Sequence, residues 1–260
     1  MVRTLLVRGL WVGLVAGLLV LGFAYLFGEA SIDRAIDFEE QAARAAGEHH
    51  GADLVSRSVQ STIGLATATV VYGVAFGGIF ALVFAAVSGR IADLGPRATA
   101  ALLSLAGFVS VSLVPFLKYP ANPPAANNPA SINERTALYV AMVIISVAVT
   151  IAAIALAQRL APRFGVWDAT LLSAAAFILI IAGVQLALPT VNETPADFPA
   201  SVLYQFRLAS LGSQAVLWST LGLLFGWLTE RSLPQARSAK AQTLTPATVA
   251  GSAHPAAARA

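Results

Sequence analysis

The chain alternates long apolar stretches with short polar segments. A helix needs about 20 apolar residues to cross roughly 30 Å of hydrocarbon, and six stretches reach about that length. They cover residues 9–27, 63–87, 98–117, 136–157, 169–188 and 209–228. Because backbone groups in lipid must hydrogen-bond within their own segment, each stretch is predicted to be a helix. We therefore expect an all-α integral membrane protein, a bundle of about six transmembrane helices.

The two ends of the chain complete this domain prediction. Residues 1–231 are predicted to form one six-span membrane domain, and residues 232–260, rich in Ala, Pro, Ser and Thr, a disordered cytoplasmic tail. The first apolar run is longer than the roughly 7–15 residues of a signal peptide, so we expect an uncleaved anchor. The distribution of Lys and Arg favours N- and C-termini in the cytoplasm. The expected location is the bacterial inner membrane.

Composition supports a lipid environment and excludes several other classes. The chain is 57% hydrophobic and 11% charged, less than half the charged fraction of about 25% in soluble domains. Its basic residues lie at span ends and in the tail, so no nucleic acid partner is expected. It has no cysteine, which excludes disulfides and thiolate metal sites. It has no P-loop, HExxH or GxSxG motif, so no enzyme activity is expected.

The acidic residues indicate a cation. All of them except Asp93, Asp168 and Glu230 fall on the predicted outer side, which would raise the local concentration of positive ions. The outer loop 29–62 begins with a predicted amphipathic helix over residues 31–46. The EHHGAD string follows, and its imidazole and carboxylate groups suit divalent first-row metals. The candidate ligands are Glu48, His49, His50 and Asp53. A hydrated loop that binds nothing is the alternative.

Two further outer loops are rich in proline. In the first, the string LKYPANPP begins where the third predicted span ends, at Leu117. Pro115 lies just before this end and is expected to free helix carbonyls there. Such stiff, irregular backbone at membrane depth is tolerated where it is buried or lines a polar cavity. The predicted vestibule residues of this loop are Lys118, Tyr119, Asn122 and Asn127. Lys118 and Tyr119 alternatively serve only as interface anchors.

The second proline loop, LPTVNETPADFP over residues 188–199, adds oxygen ligands. We assign Asn192, Glu193 and Asp197 as candidate metal ligands. Arg207 near the last span is assigned to the vestibule and is expected to pair with Glu193 or Asp197, since an ionisable group near the bilayer needs a partner. A capping loop held by that ion pair, without substrate contact, is an equal alternative.

Two amides lie within the spans. Gln185 and Gln214 need partners in hydrocarbon, and they either line a permeation path or staple helices together. The Gly73–Gly77 and Gly222–Gly226 spacings are typical of close helix packing.

The strings LKYPANPP and LPTVNETPADFP, with FRLASLGSQAVLW at 206–218, resemble the CbtA family of predicted cobalt transporter subunits. The resemblance implies a membrane subunit for cobalt uptake linked to cobalamin biosynthesis, with Co²⁺ as substrate and no permanent cofactor. It also implies a small one-span, histidine-rich membrane protein as the second subunit. Many members have a histidine-rich first outer loop, reduced here to His49 and His50. The alternative function is a non-transporting membrane scaffold or assembly subunit.

Overall fold

The computed structural model describes residues 2–47, 56–90, 94–127 and 130–243, with side chains as far as residue 232. This part of the chain is helical and has no strand. Its helices are α1 (Val2–Phe27), α2 (Glu29–Ala46), α3 (Arg57–Val87), α4 (Pro96–Lys118), α5 (Ile132–Ala187) and α6 (Ala200–Thr243). All except α2 are long and apolar enough to cross a membrane. The predicted helical membrane bundle is confirmed.

Helix α5 contains two of the predicted crossings. Its 56 residues would extend about 84 Å if straight, far beyond one hydrocarbon core. The backbone leaves helical geometry at Gly165, where φ is 80° and ψ is 162°. Leu138 and Val149 of the first arm lie in the same hydrophobic cluster as Phe177 and Val184 of the second, so the chain folds back at Gly165 and the two arms lie side by side. The five candidate helices among the described residues therefore offer enough length for the six predicted spans.

Helices α1 and α3 pack backbone to backbone. Gly13 faces Gly73, and a Cβ built on Gly13 would lie 2.3 Å from the Gly73 carbonyl oxygen. Gly9 meets Gly77 in the same way, and Gly17 lies against Thr69. Glycines at intervals of four residues form one smooth stripe, which lets two helices approach closely. The predicted packing role of Gly73 and Gly77 is confirmed, with a glycine stripe on α1 as their partner.

The main core joins α1 and α3 to α4 and α6. Phe225 of α6 makes edge contacts with Phe80 and Phe84 of α3. Gly222 lies against Ser104, and Gly226 against Arg97, so this second glycine pair also packs helices. At this end of the bundle, Arg8 donates to Thr229 and Ser232, both at 3.0 Å.

The opposite end carries α2 and two proline-rich loops, described over residues 119–127 with 130–131 and over residues 188–199, and we call it the proline-loop end. The amphipathic helix predicted over residues 31–46 is confirmed as α2. Its Ala35 and Phe38 pack against Ala126, Phe198 and Val202, with the Phe38 and Phe198 rings in edge contact at 5.1 Å. Helix α2 therefore covers the loops.

The C-terminal boundary differs from the prediction. Helix α6 continues to Thr243, across residues expected to belong to a disordered tail from 232. Ala, Arg, Lys and Gln, which are frequent in residues 235–242, have high helix propensity. Residues 244–260 lie outside the described part of the chain.

Candidate functional site: the proline-loop end and the cavity beneath it

The two proline-rich loops are bonded directly to each other. The Tyr119 hydroxyl donates to the Pro189 carbonyl at 2.8 Å, and Lys118 Nζ donates to Thr190 Oγ1 at 3.3 Å. Tyr119 is 3% exposed, so it is a buried link between the loops and not an interface anchor. Burial raises the pKa of Tyr119, and the nearby Glu134 carboxylate raises it further. The phenol therefore keeps the proton that it donates to Pro189.

Glu193 lies in a buried ion pair with Arg135. Arg135 Nη1 lies 3.0 Å from Glu193 Oε2, and the two side chains are 17% and 1% exposed. Ser131 donates to the other carboxylate oxygen at 2.7 Å. Arg135 also donates to Asn127 Oδ1 at 3.3 Å and to the Pro120 carbonyl. One guanidinium thus joins the second loop to two points of the first, Pro120 and Asn127.

Arg207 has different partners from those predicted. Its Nη2 donates to Asn122 Oδ1 at 2.9 Å, and its Nε donates to the Ala121 carbonyl at 3.3 Å. The expected pairing with Glu193 or Asp197 is wrong, because among the described residues Glu193 pairs with Arg135. The reason is the loop fold, which turns the carbonyl and amide oxygens of residues 121–122 towards α6.

The two asparagines of the first loop also shape its backbone. Asn122 Nδ2 donates to the Ala126 carbonyl at 3.1 Å, and Asn127 Nδ2 donates to the Pro123 carbonyl at 3.2 Å. Each amide oxygen then accepts from an arginine. Both predicted vestibule asparagines therefore fix a loop that presents several oxygens in one region.

A cavity of about 310 Å³ lies beneath the loops. We call it the polar cavity for the polar groups in its wall, although apolar side chains contribute more of its lining. Helices α4, α5 and α6 and the first loop enclose it. Its polar lining residues are Ser112, Tyr119, Arg135, Thr136, Tyr139, Ser210 and Gln214. Trp218 Nε1 donates to Ser112 Oγ at 2.9 Å, and Ser112 donates to Gln214 Oε1 at 3.1 Å. Gln214, predicted to line a path, lies in the wall of this cavity.

Gln185 has the other role that was considered for it, that of a staple. Helix α4 contains a wide π-turn over Phe108–Leu113, followed by Pro115, which has no N–H to give to the carbonyl of Ser110 five residues earlier. Ser146 of the first α5 arm donates to that carbonyl. Gln185 of the second arm donates to the Val114 carbonyl at 3.1 Å. Carbonyls near the proline, as predicted from Pro115, are thus bonded by side chains of a neighbouring helix.

The candidate metal ligands fall into three groups. Glu48, His49, His50 and Asp53 lie outside the described residues. Asn192 and Asp197 are exposed on the second loop, and Glu193 is buried in its ion pair. Within the described ranges no three His, Cys, Asp or Glu side chains are grouped closely enough to hold a metal ion. Metal binding by these residues stays a prediction.

Reasoning from the sequence missed Arg135 and most of the cavity wall. In the sequence, Arg135 was used only to predict the orientation of the chain, although it directly follows Glu134 at the start of a span. An ionisable group at that depth requires a partner. Arg135 was therefore as good a candidate partner for Glu193 as Arg207. Thr136, Tyr139 and Ser210 gave no signal, because an isolated hydroxyl in a span satisfies itself on its own helix: Ser210, for example, donates to the Phe206 carbonyl.

Comparison with known proteins gives one match. The model of a family described as "Probable cobalt transporter subunit (CbtA)" matches residues 2–230, which include every helix that packs into the bundle. No curated protein and no solved structure matches the chain.

Proposed function

The chain belongs to the CbtA family, and from that premise we propose that it is the subunit through which Co²⁺ crosses the bacterial inner membrane inward, for use in cobalamin biosynthesis. The family makes it a probable cobalt transporter subunit, and the helices make it a multi-pass membrane protein. A transporter subunit requires no catalytic residues of its own.

The polar cavity beneath the proline-rich loops is the observation that carries this proposal. Single hydroxyl and amide groups in a membrane bundle usually bond within or between helices, but several gathered around one space can provide oxygens for an ion. Here six hydroxyl, phenol and amide side chains, with the Arg135 guanidinium beside them, line one space of about 310 Å³. Oxygen groups of this kind replace the water ligands of an ion that sheds its hydration shell. The cavity is therefore a place for a partly dehydrated cation.

The charges around α2 support entry at the proline-loop end. Asp37, Glu39 and Glu40 are exposed on this helix, and an acidic surface raises the local concentration of cations. We place this end outside the cell and both termini in the cytoplasm. With that orientation, moving two charges inward through 100 mV gains about 4.6 kcal/mol. The membrane potential therefore favours inward movement of the ion.

A pair of serines on α6 tests the proposal. Ser210 and Ser213 both donate to a carbonyl four residues back, at 2.8 and 2.9 Å, but only Ser210 lines the cavity. Cells lacking the gene should regain radiocobalt accumulation with the wild-type protein and with Ser213→Ala, and regain less with Ser210→Ala. Equal accumulation with and without the protein would rule out cobalt uptake.

One observation also favours an assembly role beside transport. Only 11% of the apolar window of α5 is buried, against 28–33% in the other spans. This helix hairpin leaves a broad apolar face for lipid or for another membrane helix. We propose that a second, small subunit with one span and a histidine-rich segment works with this chain. If the chain were only a scaffold, it would co-purify with a partner while cobalt accumulation stayed unchanged on its deletion.

A further inference from the structure

The guanidinium of Arg135 lies among oxygen atoms of three different kinds. They are the carboxylate of Glu193 at 3.0 Å, the amide oxygen of Asn127 at 3.3 Å and the carbonyl of Pro120. Carboxylate, amide and carbonyl oxygens are also the groups that bind hard metal cations. The guanidinium of Arg135, a cation fixed to the chain, is therefore bonded to a set of oxygens that could also bind a metal ion.

We propose that the guanidinium of Arg135 competes with the transported cation for these oxygens. A divalent ion that reaches the loops displaces the guanidinium from Glu193, and the ligands that it gains are Glu193, Asn127 and the Pro120 carbonyl. The ion pair then closes the site when no metal is present and opens it when metal arrives. This inference rests on the proposed function, because it needs a cation as the substrate.

The structure provides space for the displaced side chain. Arg135 already lines the polar cavity, so its guanidinium can turn towards that space while the ion is held at the loop oxygens, and it returns to Glu193 when the ion moves on into the cavity. Thr136, Ser210 and Gln214 in the cavity wall offer oxygens that can accept from it there.

Electrostatics make the exchange with a metal favourable. The Glu193 side chain is 1% exposed, and a buried carboxylate without a cation is costly. Glu193 must therefore keep a positive partner at every stage, and a doubly charged ion satisfies this requirement better than a singly charged guanidinium. Free release of Arg135 without replacement would leave the carboxylate uncompensated.

Arg207 serves as the internal control. It also donates to oxygens of the first loop, those of Ala121 and Asn122. Among the described residues it has no carboxylate partner, so a metal that replaced it would gain no charged ligand. Removing Arg207 should therefore leave metal affinity unchanged where removing Arg135 increases it.

The test is calorimetric titration of Co²⁺ into the purified full-length chain in detergent. Every protein carries His49→Ala and His50→Ala, so that the EHHGAD segment does not contribute. Arg135→Gln should bind Co²⁺ about tenfold or more tightly than the parent, since close charge pairs couple by about 1.5 kcal/mol or more. Arg207→Gln should match the parent. The gain should disappear in the Arg135→Gln, Glu193→Gln double variant.

A second variant covers the case in which Arg135→Gln does not fold. Arg135→Lys keeps the charge that Glu193 needs but cannot donate to three oxygens at once, so it should bind Co²⁺ with an affinity between those of the parent and the Gln variant. Parent-like affinity in either folded variant would overturn the proposal. A gain that persists without the Glu193 carboxylate would do the same.

The two proposals fail separately. Suppose the wild-type chain restores no cobalt accumulation in cells while Arg135→Gln still binds Co²⁺ more tightly through Glu193. The competition between Arg135 and metal is then supported, and the proposal of cobalt uptake is rejected. If cobalt accumulation depends on Ser210 while the Arg135 variants bind Co²⁺ with the affinity of the parent, the proposal of cobalt uptake is supported and the competition by Arg135 is rejected.

Discussion

Helices are joined in two contrasting ways in this bundle. Between α1 and α3, glycine backbones touch, and Gly9, Gly13, Gly73 and Gly77 leave no room for a side chain. Between α4 and α5, side chains reach across: Gln185 and Ser146 donate to carbonyls of α4. At the proline-loop end, Arg135 joins α5 to both loops.

The difference separates a fixed region from an exchangeable one. A glycine contact depends on shape alone, so an ion or a change of pH leaves it unaltered. A polar contact can exchange one partner for another, and the cavity that allows such an exchange lies on the α4–α5–α6 side. We expect α1 and α3 to be the rigid support against which the loops respond to a cation. Four substitutions test this contrast.

The largest effect is expected at the buried carboxylate. Glu193→Gln should lower the free energy of unfolding by about 3–5 kcal/mol, because it leaves the guanidinium of Arg135 without its counter-charge. Asp197→Asn, on an exposed residue of the same loop, should change it by less than about 0.5 kcal/mol. Denaturant unfolding in detergent measures both. Equal effects would show that the ion pair does not hold the loops.

The glycine contact should be the next most sensitive. Gly13→Ala places a Cβ 2.3 Å from a backbone oxygen of α3, and such overpacking costs about 1–3 kcal/mol or more. Gly22 on the same helix has nothing within 4 Å, so Gly22→Ala should preserve stability or raise it by up to about 1 kcal/mol. The same unfolding assay separates them. If Gly13→Ala were neutral, α1 and α3 would not be in backbone contact.

The polar staple should follow. Gln185→Leu removes the amide's hydrogen bond to the Val114 carbonyl inside the bundle, at a cost of about 1–1.5 kcal/mol. Its neighbour Leu186 is 87% exposed, so Leu186→Ala serves as the control and should change stability by less than about 0.5 kcal/mol. Metal should not restore the lost stability, since Gln185 lies outside the loops. Restoration by Co²⁺ would mean that Gln185 belongs to the ion path.

The smallest effect is expected at Tyr119. Tyr119→Phe removes one hydrogen bond to Pro189, about 1 kcal/mol near neutral pH. Because burial raises the pKa of Tyr119 in the folded protein, its contribution is complete below the ordinary pKa of about 10 and is lost as pH rises through the higher folded value. The stability difference between wild type and Tyr119→Phe should therefore vanish in strong alkali. A difference that grew with pH would contradict this.

The spans and α2 could be predicted from the sequence because lipid imposes one simple requirement, a continuous apolar helix, on every crossing. The reversal at Gly165 lies within the short connection predicted between two spans. The arms nevertheless remain helical up to it, and the first arm continues through Pro162. The partners of the polar groups could not be predicted. Arg135 and Arg207 are 72 residues apart in sequence, and only the folded loops decide which of them meets Glu193.

The most direct measurement of the central claim is access to the cavity from the outer side. The chain has no cysteine, so Ser210→Cys and Ser213→Cys each introduce a single thiol, one in the cavity wall and one beside it. In intact cells, a membrane-impermeant thiol reagent should label Ser210→Cys faster than Ser213→Cys, and Co²⁺ should slow only the first. Equal labelling of the two, or labelling of Ser210→Cys only from the cytoplasmic side, would contradict a cation entrance beneath the proline-rich loops.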